Sequence, residues 1–153
     1  METFYRLQRA IFELRYRREL KMGFVPAGAY VPRGTTLPPE TTIKSGARLG
    51  RNCVVGHSSV IESHCQVGAG STIGANSWVD SHCCFGDGCA LWGGSLVERE
   101  CEFGDDCVFG SGVVFAATVT FGENCSFGNG CVFSGDTISF GHGCSFGVQA
   151  NGG

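Results

Sequence analysis

Leu49-Gly50-Arg51-Asn52-Cys53-Val54-Val55-Gly56-His57-Ser58-Ser59-Val60 reads as two copies of one six-residue unit. In both copies a large apolar residue comes first, glycine second and a small residue fifth. Working outward, the unit repeats without a break from Val25 to Ile138 and restarts at Phe140 and Phe146. Its first position stays large and apolar, as in Val31, Ile43, Val67, Leu91, Phe109 and Phe133, and its fifth stays small, as in Ala47, Ser77, Cys83 and Cys107. An α-helix cannot hold a period of six, because its apolar face recurs at about 3.6 residues. Short strands joined by tight turns can. Positions five and one lie two apart and share one side of an extended segment, so the sixth position between them faces solvent. Position four holds Gly28, Gly46, Gly70, Asn52, Asn76, Asp106, Asp136, His64 and His82 among others, residue types that tolerate positive φ. A short period held over most of a chain marks a solenoid, whose repeats bury their apolar faces only against their neighbours.

The hexads Leu49-Gly50-Arg51-Asn52-Cys53-Val54, Ile73-Gly74-Ala75-Asn76-Ser77-Trp78 and Phe121-Gly122-Glu123-Asn124-Cys125-Ser126 resemble the bacterial transferase hexapeptide repeat. The resemblance covers about residues 25–150 and implies a left-handed parallel β-helix with three hexads per coil. The hand comes from the resemblance alone, since crossover connections are usually right-handed. Twenty-one hexads would make seven coils, a prism roughly 33 Å long at about 4.8 Å per coil. One surplus residue between Gly135 and Ser139 is expected to form a bulge at a corner. The chain thus divides into an N-terminal amphipathic helix over 1–23 and a hexapeptide-repeat β-helix over 24–153.

Turns and second hexad positions account for the 25 glycines, which excludes a disordered glycine-rich chain. No segment reaches the roughly 18 apolar residues of a membrane-spanning helix, and the N-terminus lacks the apolar core of a secretory signal. All of the 10 cysteines except Cys84 fall at the inward fifth position. Cysteines stacked one coil apart sit wider than the roughly 3.8 Å Cβ separation of a disulfide. They are expected as buried free thiols in a reducing cytosol, which places the protein in the cytoplasm.

Residues 1–22 differ in kind. Phe4, Leu7, Ile11 and Leu14 recur at three- and four-residue steps, and six basic residues against three acidic ones give the segment a net +3. The remainder holds five basic and eleven acidic residues, a net −6. Residues 18 apart stack on one face, so the columns can be read directly. Val60, Trp78, Leu96, Val114 and Val132 form an outward apolar stripe beside Glu62, Asp80 and Glu98. This face is expected to be an interaction surface, since exposed apolar stripes mark contacts. Its occupant would be the N-terminal helix through Phe4, Leu7, Ile11 and Leu14, a second copy, or a foreign protein.

His64 and His82 lie one coil apart, with Glu100 one coil further, a surface ladder that could hold a metal but whose histidines already sit at the turn position. The reading therefore assigns no metal. His57 and His142 occupy the third hexad position. Their hexads resemble those carrying the catalytic base of hexapeptide acyltransferases, in which a histidine at a trimer corner deprotonates the acceptor for attack on an acyl thioester. Val55-Gly56-His57 also resembles a zinc-ligand segment of the γ-class carbonic anhydrases, but Glu62 stands where the second histidine belongs. No loop leaves the solenoid between Val25 and Ile138 to build a cleft. On that regularity the sequence reads as a non-catalytic, self-associating scaffold or protein-interaction module without a cofactor, a trimer being favoured. The alternatives are an acyl-CoA-dependent acyltransferase with His57 as general base, and attachment to nucleic acid or a membrane surface through the basic helix; neither of those two partners is assigned in the main reading.

Overall fold

The computed structural model describes residues 25–146 and 151–152. They form an all-β parallel solenoid without helices, and none of them belongs to a helix long and apolar enough to cross a membrane. The N-terminal helix expected over 1–23 lies outside the described residues. Three columns of short parallel strands stack at a register of 18 residues. The first column pairs Thr42, Val60, Trp78, Leu96, Val114 and Val132 in turn, about five turns of the solenoid. The second runs Arg48, Gln66, Cys84, Glu102 and Thr120, and the third Val54, Thr72, Ala90, Val108, Ser126 and Ser145.

Most strands are two residues long, with the sixth hexad position outward and the first buried, as in Val54–Val55 and Trp78–Val79. Turns follow each strand because position four takes left-handed backbone: Asn52, His64, Asn76, His82, Asp106 and Asn124 have φ between 56° and 62°. The glycine at position two has a separate cause. A Cβ on Gly56 would meet the backbone nitrogen of Ala75 in the next coil, so the coils close up only where that side chain is missing.

The core changes character along its length. Leu49, Val55, Ile61, Val67 and Ile73 fill one half, while Phe85, Phe103, Phe109, Phe115, Phe121, Phe127 and Phe133 fill the other. In the aromatic half, rings one coil apart stack, Phe109 on Phe127 at 5.5 Å and Phe115 on Phe133 at 5.2 Å. Burying each such side chain contributes about 1.5–3 kcal/mol.

Position five does more than fill space. Its hydroxyl or thiol donates to the carbonyl at position two of the next coil: Ser59 to Gly74 at 2.8 Å, Cys65 to Asp80 at 2.9 Å, Cys83 to Glu98 at 3.0 Å. The ten cysteines are free thiols, eight of them buried and Cys84 and Cys144 partly so. Burial pushes the Cys53 thiol above its ordinary value, and at Cys83 hydrogen bonds with Cys101 and Cys65 together with burial do the same.

One corner departs from the hexad rule. Val114–Phe121 and Val132–Phe140 run through it as continuous strands, joining the first and second columns into one sheet. Thr118 stands where the preceding coils carry the left-handed residues His64, His82 and Glu100, and the backbone stays extended there. Register passes from Ala116↔Ser134 to Thr118↔Thr137, which puts the surplus residue between Ser134 and Thr137. Gly135, at φ 145°, takes up the irregularity, whereas Asp136 does not adopt the left-handed turn expected of it.

Candidate functional site

His57 sits in the turn that joins strand Val54–Val55 of the third column to Val60–Ile61 of the first. The turn is fastened at several points. Gly56 N–H donates to Ile73 C=O at 2.7 Å, His57 C=O accepts from Asn76 N–H at 3.0 Å, and the Ser59 hydroxyl holds Gly74 C=O. The backbone is thereby fixed while the imidazole is exposed. Ser58, beside it, has φ 57°. Of the described non-glycine residues with positive φ, only Ser58 and Glu100 are neither Asn, Asp nor His. Such a conformation costs on the order of 1 kcal/mol, and persists here because both flanking segments are pinned.

Some third-position side chains serve the scaffold by accepting from the backbone N–H one coil back. Asp87 Oδ1 accepts from Ala69 at 2.8 Å, Asp105 Oδ1 from Asp87 at 2.7 Å, and Asn129 Oδ1 from Ser111 at 2.8 Å. His142 does the same, its Nδ1 accepting from Glu123 N–H at 3.2 Å. His57 does not. The residue one coil back is Pro39, which has no N–H to give. The two histidines that the sequence places at equivalent hexad positions therefore differ. The lone pair of His142 Nδ1 is engaged, and His57 keeps an imidazole with no side-chain hydrogen bond among the described residues. The signal was present in the sequence, but only a reader aware of the inter-coil cap could have used it.

The remaining candidates are spread over other parts of the surface. His64 and His82 stack with ring centroids 5.3 Å apart, both in left-handed turns, with Glu100 at φ 62° above them. Among the described residues no group of three or more His, Cys, Asp or Glu is placed to hold a metal. The apolar stripe is a real column: Val60 pairs with Trp78, Trp78 with Leu96, Leu96 with Val114 and Val114 with Val132. Trp78 is 50% exposed and Leu96 39%, while Val60, Val114 and Val132 are half-buried. Glu62, Asp80 and Glu98 follow two residues after Val60, Trp78 and Leu96 on successive coils. Phe4, Leu7, Ile11 and Leu14 lie outside the described residues. A shallow groove of about 440 Å³ runs over the second column, lined by Tyr30, Arg48, Gln66, Phe85 and Asp87. It lies on a different edge from His57, so one chain by itself does not bring groove and imidazole together.

Residues 46–81 match the family described as bacterial transferase hexapeptide (six repeats), a stretch that contains His57, His64 and Trp78. No curated protein matches the sequence. Among solved structures the chain is similar to the perosamine N-acetyltransferase of Caulobacter crescentus, determined with CoA and GDP-perosamine, with 24% identity and a TM-score of 0.64. That match covers 69% of this chain and 50% of the other, so the chain spans about half the length of that enzyme. A hexapeptide transferase family protein from Anaplasma phagocytophilum matches with 15% identity and a TM-score of 0.66, over 78% of this chain and 70% of that one. AntD, an N-acyltransferase from Bacillus cereus determined with dTDP and CoA, matches with 10% identity and a TM-score of 0.55, over 73% and 75%. At these identities the likeness establishes the fold.

These neighbours correct the scaffold reading. Regular coils without an inserted cleft pointed to a non-catalytic module, yet solved structures that share this solenoid include acetyl- and acyltransferases holding CoA. A smooth wall on one chain is shared by enzymes of this fold and does not mark a scaffold. The expectation of no cofactor rested on the same argument and loses that support. Attachment to nucleic acid or membrane rested on residues 1–22, which lie outside the described residues.

Proposed function

We propose that this chain, built of bacterial transferase hexapeptide repeats, transfers an acyl group from an acyl-CoA thioester to an amine or hydroxyl acceptor, with His57 as the general base. The observation that carries the proposal is the exposed His57 imidazole, spared from the inter-coil cap by Pro39 and held on a backbone pinned from both sides. A base needs a free lone pair within reach of the acceptor proton, and His142, whose Nδ1 already accepts from Glu123, is the poorer choice.

In the reaction the acceptor N–H or O–H gives its proton to the His57 imidazole as its lone pair attacks the thioester carbonyl. A tetrahedral adduct forms and collapses. The C–S bond breaks, and the departing CoA thiolate takes the proton back from the imidazolium. The imidazole is regenerated, so the step balances without a redox partner.

The site is completed by oligomerisation, a trimer being the assembly that sets one subunit's corner against another's wall. The His57 corner of one copy then faces the groove of its neighbour, where Arg48 offers a cation to the donor's phosphates and Gln66 a hydrogen bond. The same reading carries the left hand of the coil, a total of seven coils, a helix over 1–23 ahead of the solenoid over 24–153, and a cytoplasmic setting in which thiols stay reduced.

Native mass spectrometry of the protein mixed with CoA tests the binding half of the proposal. A trimer carrying CoA is expected, with mass lost from the complex when Arg48→Ala removes the groove cation. A protein that holds no CoA at any stoichiometry contradicts it.

A further inference from the structure

The first strand column leaves an apolar stripe and a row of carboxylates side by side, and nothing in the proposed reaction uses them. Trp78 and Leu96 expose half and two-fifths of their surface at its centre. Glu62, Asp80 and Glu98 repeat once per coil just beyond it. Other outward columns lack this combination: the second carries Arg48, Gln66, Cys84 and Glu102, and the third Val54, Thr72, Ala90 and Val108, whose following positions are mostly glycine.

We infer that residues 1–22 of this chain dock along the first strand column, laying their apolar residues over Trp78 and Leu96 and their arginines against Glu62, Asp80 and Glu98. Three observations independent of each other point to this occupant. The first is position. Val25, where the described chain begins, is 18 residues before Ile43 and so lies on the lowest rung of this same column. Gly23 stands immediately before Phe24 and Val25 and supplies a backbone able to turn back along the column. The segment therefore enters at the foot of the face it would cover.

The second is length. Phe4, Leu7, Ile11 and Leu14 recur with helical spacing, and in a helix Phe4 to Leu14 would span about 15 Å. The stripe from Val60 to Val132 covers four rung spacings, about 19 Å. The apolar run is long enough to cover its central rungs at Trp78 and Leu96. The third is charge. The segment carries a net +3, and the carboxylate row beside the stripe carries the opposite sign at three successive coils. Uncovered, the stripe would be a standing aggregation risk; covered by a tethered segment, it is buried at the high effective concentration that a direct linkage gives.

The test uses the full chain with Trp92→Phe, which leaves Trp78 as the sole tryptophan of two. Its fluorescence and acrylamide quenching are compared with those of the same chain carrying Leu7→Asp and Ile11→Asp, with subunit mass measured for both. Docking predicts a shielded Trp78 whose quenching rises several-fold and whose emission moves to the red in the double-Asp chain, at unchanged subunit mass. Trp78 equally quenched in both chains overturns the inference. Trp78 released only together with dissociation of the assembly also overturns it, since a second copy then covers the face. If Trp92→Phe does not fold, limited trypsin digestion of the otherwise native chain replaces it. Cleavage at the arginines of residues 6–18 should be several-fold faster in Glu98→Arg than in wild type, and equal rates overturn the docking.

Discussion

Two corners of this solenoid carry a histidine at the same hexad position, and they have different fates. At the His142 corner the imidazole is part of the scaffold: Nδ1 caps Glu123 N–H one coil back, as Asp87 caps Ala69 and Asp105 caps Asp87. At the His57 corner the preceding coil presents Pro39. Removal of one N–H frees the side chain, and the left-handed Ser58 and the bonds to Ile73 and Asn76 fix the backbone that carries it. Regularity of the coils says little about whether chemistry occurs on them.

The comparison can be broken most forcibly at Gly56. A Cβ there collides with the backbone of Ala75, so Gly56→Ala should displace the His57 turn, destabilise the protein by about 1–3 kcal/mol and lower acyl transfer by about a hundredfold, the cost of roughly 1 Å of misplacement. Thermal unfolding and kcat check the two parts. Pro39→Ala sharpens the contrast from the other side. It restores an N–H beneath His57, makes this corner resemble that of His142, and should reduce kcat by about fivefold, the equivalent of one hydrogen bond of about 1 kcal/mol to be broken before proton transfer. A kcat unchanged by Pro39→Ala would show that the cap does not distinguish the corners.

His142→Ala should leave transfer as it is and cost about 1 kcal/mol of stability through the lost cap, a fall in Tm of about 2–4 °C for a chain of this size. The smallest effect expected lies in the core. The thiols of Cys65, Cys83 and Cys107 are buried and bonded to the next coil's carbonyls, so they should not react with a thiol reagent until the protein unfolds. Prompt reaction of these thiols in the native protein would contradict the closed core.

Much of the fold was legible because the repeat speaks three times per hexad. The apolar first position, the small fifth and the turn-tolerant fourth predicted the strands, the core and the left-handed residues, His64 and His82 included. Where those signals lapse, the sequence misleads: Asp136 looked like a turn residue, but with Thr118 extended beneath it the corner runs on as strand and Gly135 absorbs the surplus. The site was legible only in part. His57 could be picked out by resemblance, but its difference from His142 depends on a residue 18 positions away, and Ser58 shows its left-handed backbone by hexad position and not by residue type. The scaffold reading arose from the regularity of the coils, which enzymes of this fold share.

Acetyl transfer measured side by side in wild type, His57→Ala and His142→Ala tests the central claim most directly, with acetyl-CoA as donor and a panel of amines and alcohols as acceptors. Loss of a general base should lower kcat by about 10²–10⁴ in His57→Ala, at unchanged assembly and CoA binding, and leave His142→Ala at the wild-type rate. A His57→Ala protein that transfers as fast as wild type, or a loss confined to His142→Ala, would contradict the account.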